Sequence, residues 1–128
     1  MKRKDSKKYN ELVKKLLHGE TWEIRANAAL EIGHFADGRV LNIMIRALNA
    51  EEDDVVINRI LEAIGNLKDP RGTKVLLDYL KKERENDEPD KKRLFILVES
   101  LMKIGDKRAL EDLGLLYDSC YENEELKG

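Results

Sequence analysis

The sequence contains few of the residues from which many enzymes and secreted proteins build their sites. Its 128 residues include one cysteine, two histidines and two prolines. A lone cysteine, Cys120, cannot form a disulfide within the chain, and a self-contained zinc site needs about four nitrogen or sulfur ligands. No apolar run is long enough to span a membrane, and the charged start of the chain lacks the apolar segment of a secretory signal. We therefore expect a cytoplasmic protein with no cofactor, no bound metal and no membrane contact.

Charge is abundant, nearly balanced and unevenly placed. Charged residues make up 39% of the sequence, and the net charge is −2. Residues 1–18 carry seven Lys or Arg against two acids, whereas residues 109–128 carry six acids against one lysine. Such a dipole can steer a partner or favour head-to-tail self-association, although solvated terminal helices also explain it. We expect a monomer or a weak homo-oligomer.

A short motif indicates an internal repeat. An acidic residue, any residue and a basic residue recur at spacings of 32, 32 and 37, starting at Asp5, Asp37, Asp69 and Asp106. A second series lies sixteen residues before the last three motifs, at Thr21, Asp53 and Asp90. Both series lengthen from 32 to 37 at the same point, which places an insertion of five residues near 82–89.

These markers are typical helix starts. Thr and Asp cap helices because their side-chain oxygens accept free N–H groups of the first turn. Apolar residues follow at spacings of three and four, which places them on one helical face, and no segment alternates with period two. We call the helices after Thr21, Asp53 and Asp90 first helices, and those after the acid-x-basic motifs second helices. The sequence predicts an all-α protein of about seven helices: one unpaired helix at 6–18, then three antiparallel pairs stacked as an α-solenoid.

We expect one domain over residues 1–128. Its predicted parts are an N-terminal half repeat (1–19), repeat 1 (20–51), repeat 2 (52–86), repeat 3 (87–119) and an acidic C-terminal tail (120–128).

Three segments carry a family resemblance: 25–33 (RANAALEIG) with 37–41 (DGRVL), 60–65 (ILEAIG) with 69–71 (DPR), and 104–110 (IGDKRAL). They resemble the HEAT-like repeat, and more narrowly the short variety found in phycocyanobilin lyase subunits. The resemblance implies a right-handed superhelix with second helices on the concave side, and a role in holding protein partners. One departure is Met102, which stands where the other repeats have Gly33 and Gly65.

Candidate chemistry is sparse. Glu31 and His34 have the E-x-x-H spacing of di-iron sites, but those sites need two such pairs and two further carboxylates. Cys120 has acidic neighbours, which disfavour the reactive thiolate. We predict no catalytic residue. The arginines of the acid-x-basic motifs are expected to pair with the adjacent repeat, and Gly33 and Gly65 to allow close helix approach.

The strongest functional candidate is a line of residues on the second helices. Positions five and nine after each motif acid are predicted to point away from the core: Asn10, Lys14, Asn42, Arg46, Lys74, Asp78 and Glu111, with Leu115 as the last position. We call these seven polar residues the second-helix ridge. It runs from basic to acidic, which suits a protein or peptide of opposite polarity, although plain solvation is the simpler interpretation.

Three functions remain open. The first is a non-enzymatic interaction module or adaptor that binds a protein along the second-helix ridge. The second is nucleic-acid contact through the basic N-terminal end, although an unbroken basic stripe would suit nucleic acid better. The third is a lyase-like accessory role in protein modification, which only the resemblance implies. Trp22, the single tryptophan, either packs against the unpaired helix or forms a partner hot spot.

Overall fold

The computed structural model describes residues 3–35, 38–111 and 113–114. Within these ranges the chain forms six helices: α1 (Arg3–His18), α2 (Trp22–Ile32), α3 (Arg39–Ala50), α4 (Asp54–Leu67), α5 (Gly72–Arg84) and α6 (Lys91–Ile104). Residues 107–111 begin a seventh helix, and the described ranges contain no strand. The predicted all-α solenoid is confirmed, with α2, α4 and α6 as first helices and α1, α3 and α5 as second helices.

The first helices begin where the sequence predicts. The carboxylate of Asp53 accepts the N–H groups of Val55 and Val56 at 2.9 and 3.2 Å. Thr21 and Asp90 each accept one N–H group, three residues further on, at 3.3 and 3.1 Å. All three caps have extended backbone angles, as N-cap residues do. The predicted N-caps of α2, α4 and α6 are thus confirmed.

The second helices start less regularly than predicted. Helix α1 begins two residues before Asp5, which therefore lies inside its first turn rather than at its cap. Helix α5 begins only at Gly72, because Asp69 first closes a tight turn. The carboxylate of Asp69 accepts the N–H of Arg71 at 3.0 Å, and its carbonyl oxygen accepts the N–H of Gly72 at 2.9 Å. Asp37 lies outside the described residues.

Two kinds of helix contact build the stack. Helices α1 and α2, α3 and α4, and α5 and α6 pack against each other as antiparallel neighbours, and the three first helices also pack in series, α2 on α4 and α4 on α6. The second helices contact one another much less. The first helices therefore form the continuous spine of the solenoid. The repeat boundaries that we expected from the sequence stay a prediction.

A single apolar core runs through the stack. Its largest fully buried side chains come from every described helix: Leu16, Ile32, Val40, Leu41, Met44, Val56, Ile60, Leu61, Ile64, Leu76, Leu97 and Leu101. Burial of each such side chain contributes about 1.5–3 kcal/mol relative to exposure. This burial fixes which face of each helix remains in contact with solvent.

The predicted close approach at Gly65 is confirmed. An added Cβ atom there would lie only 2.6 Å from the Cβ atom of Ser100 on α6. The Ser100 hydroxyl donates a hydrogen bond to the carbonyl oxygen of Leu61 at 3.0 Å, which ties α6 to the backbone of α4. At Gly33 the fit is looser, since an added Cβ would lie 3.6 Å from the Cβ atom of Ala63.

The insertion predicted near residues 82–89 falls at the end of α5 and in the exposed connection 85–90. A buried cation closes this connection. Arg93 donates to the side-chain oxygen of Asn58 at 3.0 Å and to Asp54 at 2.8 Å, and it lies 3.8 Å from the carboxylate of Glu83. Glu83 in turn accepts the N–H of Asp90 at 2.8 Å. Burial of the Arg93 guanidinium is therefore matched by polar partners.

Candidate functional site

The structure leaves the entire second-helix ridge exposed. Its members occupy α1 (Asn10, Lys14), α3 (Asn42, Arg46), α5 (Lys74, Asp78) and the start of the seventh helix (Glu111). In α1, α3 and α5 the residue directly before the first ridge position is buried, so that the ridge residue points to solvent. These exposures agree with the orientation expected from the sequence, whereas partner binding at these residues stays a prediction. Leu115 lies outside the described residues.

Charge along the ridge changes sign. Lys14, Arg46 and Lys74 precede Asp78 and Glu111 in chain order. In the part of the chain that the structure describes, none of these five side chains forms an ion pair. Their charges are therefore available to a partner, and a partner that pairs with all five needs acidic groups at one end and basic groups at the other.

Trp22 does not join the ridge. It is the first residue of α2, a first helix, whereas the ridge lies on second helices. Its side chain is 45% exposed, so it is packed on one side and open on the other. This half-open position is compatible with both interpretations made from the sequence, packing against the unpaired helix and a partner hot spot.

A groove lies between the C-terminal ends of α1 and α3. It has a volume of about 550 Å³, with an apolar floor that includes Leu16 and Ala47. Its polar wall is held by Arg25, which donates to both carboxylate oxygens of Glu51 at 2.9 and 3.3 Å and to the carbonyl oxygen of Gly19 at 2.8 Å. Sequence reasoning missed this clamp. The only signal in the sequence was Arg25 itself, because the equivalent residue of the next repeat is Ile57.

Two of the four acid-x-basic motifs form local ion pairs. Arg108 pairs with Asp106 of its own motif at 3.1 Å, and Arg71 pairs with Asp69 at 2.6 Å. These hydrogen bonds hold the pKa of Asp69 and Asp106 below the usual aspartate range. The prediction that the arginines pair with the adjacent repeat is wrong for Arg108. It holds in part for Arg71, which also donates to the carbonyl oxygen of Gly38 at 3.2 Å.

Metal and nucleophile chemistry finds little support in the described ranges. No group of three or more His, Cys, Asp or Glu side chains within them could hold a metal ion. Glu31 and His34 are both exposed, and Cys120 lies outside the described residues. Burial of the Tyr79 phenol raises its pKa, and the ring lies 5.9 Å from the Arg93 guanidinium, which is a structural contact. None of the described helices is long and apolar enough to cross a membrane.

Comparison with known proteins identifies the repeat. The sequence profile of HEAT repeats matches residues 9–88, which is more than half of the chain. Searches of curated proteins and of solved structures found no match. HEAT repeats generally mediate protein–protein interaction. The matched residues run from α1 through α5, and with the stacked helix pairs they show that this chain belongs to the HEAT-repeat family.

Proposed function

We propose that this chain is a non-enzymatic interaction module that binds an extended segment of a partner protein along the second-helix ridge. The observation that supports this function is the ridge itself, seven exposed polar residues in one register on successive second helices. Its charged groups have no ion-pair partner among the described residues. We expect this interaction to take place in the cytoplasm.

The chemistry of the ridge defines the partner. An acidic stretch would pair with Lys14, Arg46 and Lys74, and a basic stretch would pair with Asp78 and Glu111. Each exposed pair contributes about 0.2–1 kcal/mol, so five pairs together contribute about 1–5 kcal/mol, and other contacts of the partner segment supply the rest of the affinity. The Debye length is about 10 Å at 0.1 M salt and shortens as salt is added, so higher salt should weaken the attraction between these exposed charges.

The decisive experiment compares two charge-reversed variants of equal net charge. The ridge variant carries Lys14→Glu, Arg46→Glu and Lys74→Glu. Its matched control carries Lys68→Glu, Lys92→Glu and Lys107→Glu, which change three exposed lysines away from the ridge. Wild type and both variants are used for affinity capture from native cell extract at about 0.15 M salt, with and without nuclease, because nuclease removes phosphate-driven binding.

We expect wild type and control to retain one defined protein that the ridge variant loses. Retention by all three proteins would place the partner elsewhere and contradict the proposal. Loss of every captured protein after nuclease treatment would favour the alternative, a nucleic-acid-associated protein. That alternative has one supporting observation, the four exposed lysines Lys7, Lys8, Lys14 and Lys15 on α1.

A further inference from the structure

The three first helices stack through the same positions, counted from their N-caps. The twelfth residue after the cap of α2 is Gly33, and it faces Ala63, the tenth residue after the cap of α4. The twelfth residue after the cap of α4 is Gly65, and it faces Ser100, the tenth residue of α6. The same geometry is therefore used twice, each time with a small residue at the closest approach.

Polar contacts between α4 and α6 extend this register. Arg93, the third residue after the cap of α6, bonds to Asp54 and Asn58, the first and fifth residues after the cap of α4. The Ser100 hydroxyl bonds to the backbone of the eighth residue of α4. The first, fifth, eighth and twelfth residues after the N-cap of α4 thus form the surface on which α6 packs. We call the surface at these four positions of a first helix its receiving face.

On α6 the receiving face consists of Lys91, Phe95, Val98 and Met102. Phe95 is 68% exposed and Met102 is 63% exposed, whereas Val98 is half-buried. On α2 and α4 the fifth position is Ala26 and Asn58, and both side chains are buried. The face that is covered on two helices is therefore open on α6, and its fifth and twelfth positions carry large apolar side chains. Isolated exposed apolar residues are common, but this pair lies seven residues apart on one face.

We propose that the receiving face of α6 binds an amphipathic helix of a partner protein, with a carboxylate beside its apolar stripe. The partner helix would take the place that α4 takes on α2 and α6 takes on α4. This surface is separate from the second-helix ridge and does not depend on it.

Charge at the first position defines the partner's polarity. On α4 that position is Asp54, and the incoming helix meets it with the cation Arg93. On α6 the same position is Lys91. The partner helix therefore needs an acidic residue at its third position, which is the position that Arg93 occupies in α6.

Met102 determines how closely the partner helix can approach α6. Glycine at this position permits the contact between α4 and α6, whereas a methionine side chain keeps a partner helix further away. Met is unbranched and adapts its shape to varied apolar surfaces. The partner stripe can therefore carry a small residue opposite Met102 and larger ones opposite Phe95.

The test uses two labelled peptides built on residues 53–68, the sequence of α4. One carries Val56→Glu, which places an acid at the third position after the cap, and the matched control carries Val56→Lys. Binding to the full-length protein is measured by fluorescence anisotropy. Protein variants are Phe95→Asn, which installs the α4 residue, and Lys91→Glu. Both sites are exposed, and circular dichroism verifies the fold.

We expect saturable binding of the acidic peptide and an affinity at least about tenfold weaker for Phe95→Asn, from the loss of one buried aromatic side chain. Lys91→Glu should reverse the preference between the two peptides, with changes of about two- to five-fold for one exposed pair. Two outcomes would overturn the proposal: no saturation by either peptide up to about 1 mM, or binding that ignores Phe95→Asn.

Other occupants give different results, and each would also overturn the proposal. A second copy of the chain would produce a dimer in analytical ultracentrifugation that Phe95→Asn dissolves. The chain's own acidic tail would produce tighter peptide binding after Glu122→Gln, Glu124→Gln and Glu125→Gln in the full-length protein. We expect the protein alone to sediment independently of Phe95→Asn, and the tail variant to bind the peptide as wild type does.

Discussion

Replacing Gly65 with alanine should destabilise the protein, although alanine is the better helix former by about 1 kcal/mol. The added Cβ would meet the Cβ, Cα and Oγ atoms of Ser100 at 2.6, 2.7 and 2.8 Å. Two of these atoms move only with the backbone of α6, so the helices must separate by about 1 Å to reach an ordinary contact. Because cores are close-packed, such overpacking costs about 1–3 kcal/mol. Set against the propensity gain of about 1 kcal/mol, this gives an expected net loss of up to about 2 kcal/mol.

Gly33→Ala is the matched control, because Gly33 occupies the same position after the N-cap of α2. Its added Cβ would lie at ordinary contact distances, 3.5 Å from the nearest atom, and its φ of −63° suits alanine. The substitution should therefore leave stability unchanged or raise it by about 0.4–1 kcal/mol. Alanine substitution at these two equivalent glycines should therefore change the free energy of unfolding in opposite directions.

Urea unfolding followed by circular dichroism at 222 nm measures both effects. With a slope of about 1–3 kcal/mol per M urea, a loss of about 2 kcal/mol would lower the midpoint of Gly65→Ala by roughly 0.7–2 M. A double-mutant cycle with Ser100→Gly isolates the clash, since Gly65→Ala should cost less when the Ser100 side chain is absent. Equal effects of Gly65→Ala and Gly33→Ala on stability would refute the close approach of α4 and α6.

Three further perturbations test other parts of the fold. Lys68 caps α4 with a left-handed φ of 53°, so Lys68→Gly should stabilise the protein by about 0.5–1 kcal/mol in thermal unfolding; a lower midpoint would contradict this strain. Arg93→Ala should destabilise it by about 2–4 kcal/mol in urea, because the buried Glu83 loses its cation, and an unchanged midpoint would mean that the network contributes nothing. The pKa values of Asp69 and Asp106 are lowered by hydrogen bonds from their motif arginines, so their stabilising contribution is complete above about pH 4 and is lost as pH falls through the lowered values. The urea midpoint should therefore fall more steeply in acid for wild type than for the doubly substituted variant Asp69→Asn, Asp106→Asn.

Features set by neighbouring residues were the most predictable from the sequence. The N-caps at Thr21, Asp53 and Asp90 depend on contacts two or three residues along the chain, and all three were predicted correctly. The close approach at Gly65 followed from a repeated glycine, because a missing side chain at a recurring position usually marks a packing contact. These predictions needed only spacing and residue type.

Features that depend on long side chains or on neighbouring repeats were less predictable. Arg71 and Arg108 can fold back on their own motif or reach the adjacent repeat, and the observed distances show that Arg108 does the first whereas Arg71 does both. Phe95 lies among the apolar residues of α6, yet its side chain is 68% exposed. A sequence period reveals which positions are equivalent, but it does not reveal whether a helix has a neighbour on each side.

The residues at equivalent positions nevertheless indicate how each interface is built. After the N-caps of α2, α4 and α6 the twelfth residues are Gly33, Gly65 and Met102. Glycine occurs at both interfaces where another first helix of the same chain packs, and methionine occurs where the receiving face is open. A helix with a small tenth residue, such as the peptides built on α4, would meet the Met102 side chain at this position and would therefore lie further from α6 than α6 lies from α4. The receiving face of α6 therefore sets a wider helix spacing than the interface between α4 and α6, which favours a partner helix with larger apolar residues opposite Phe95.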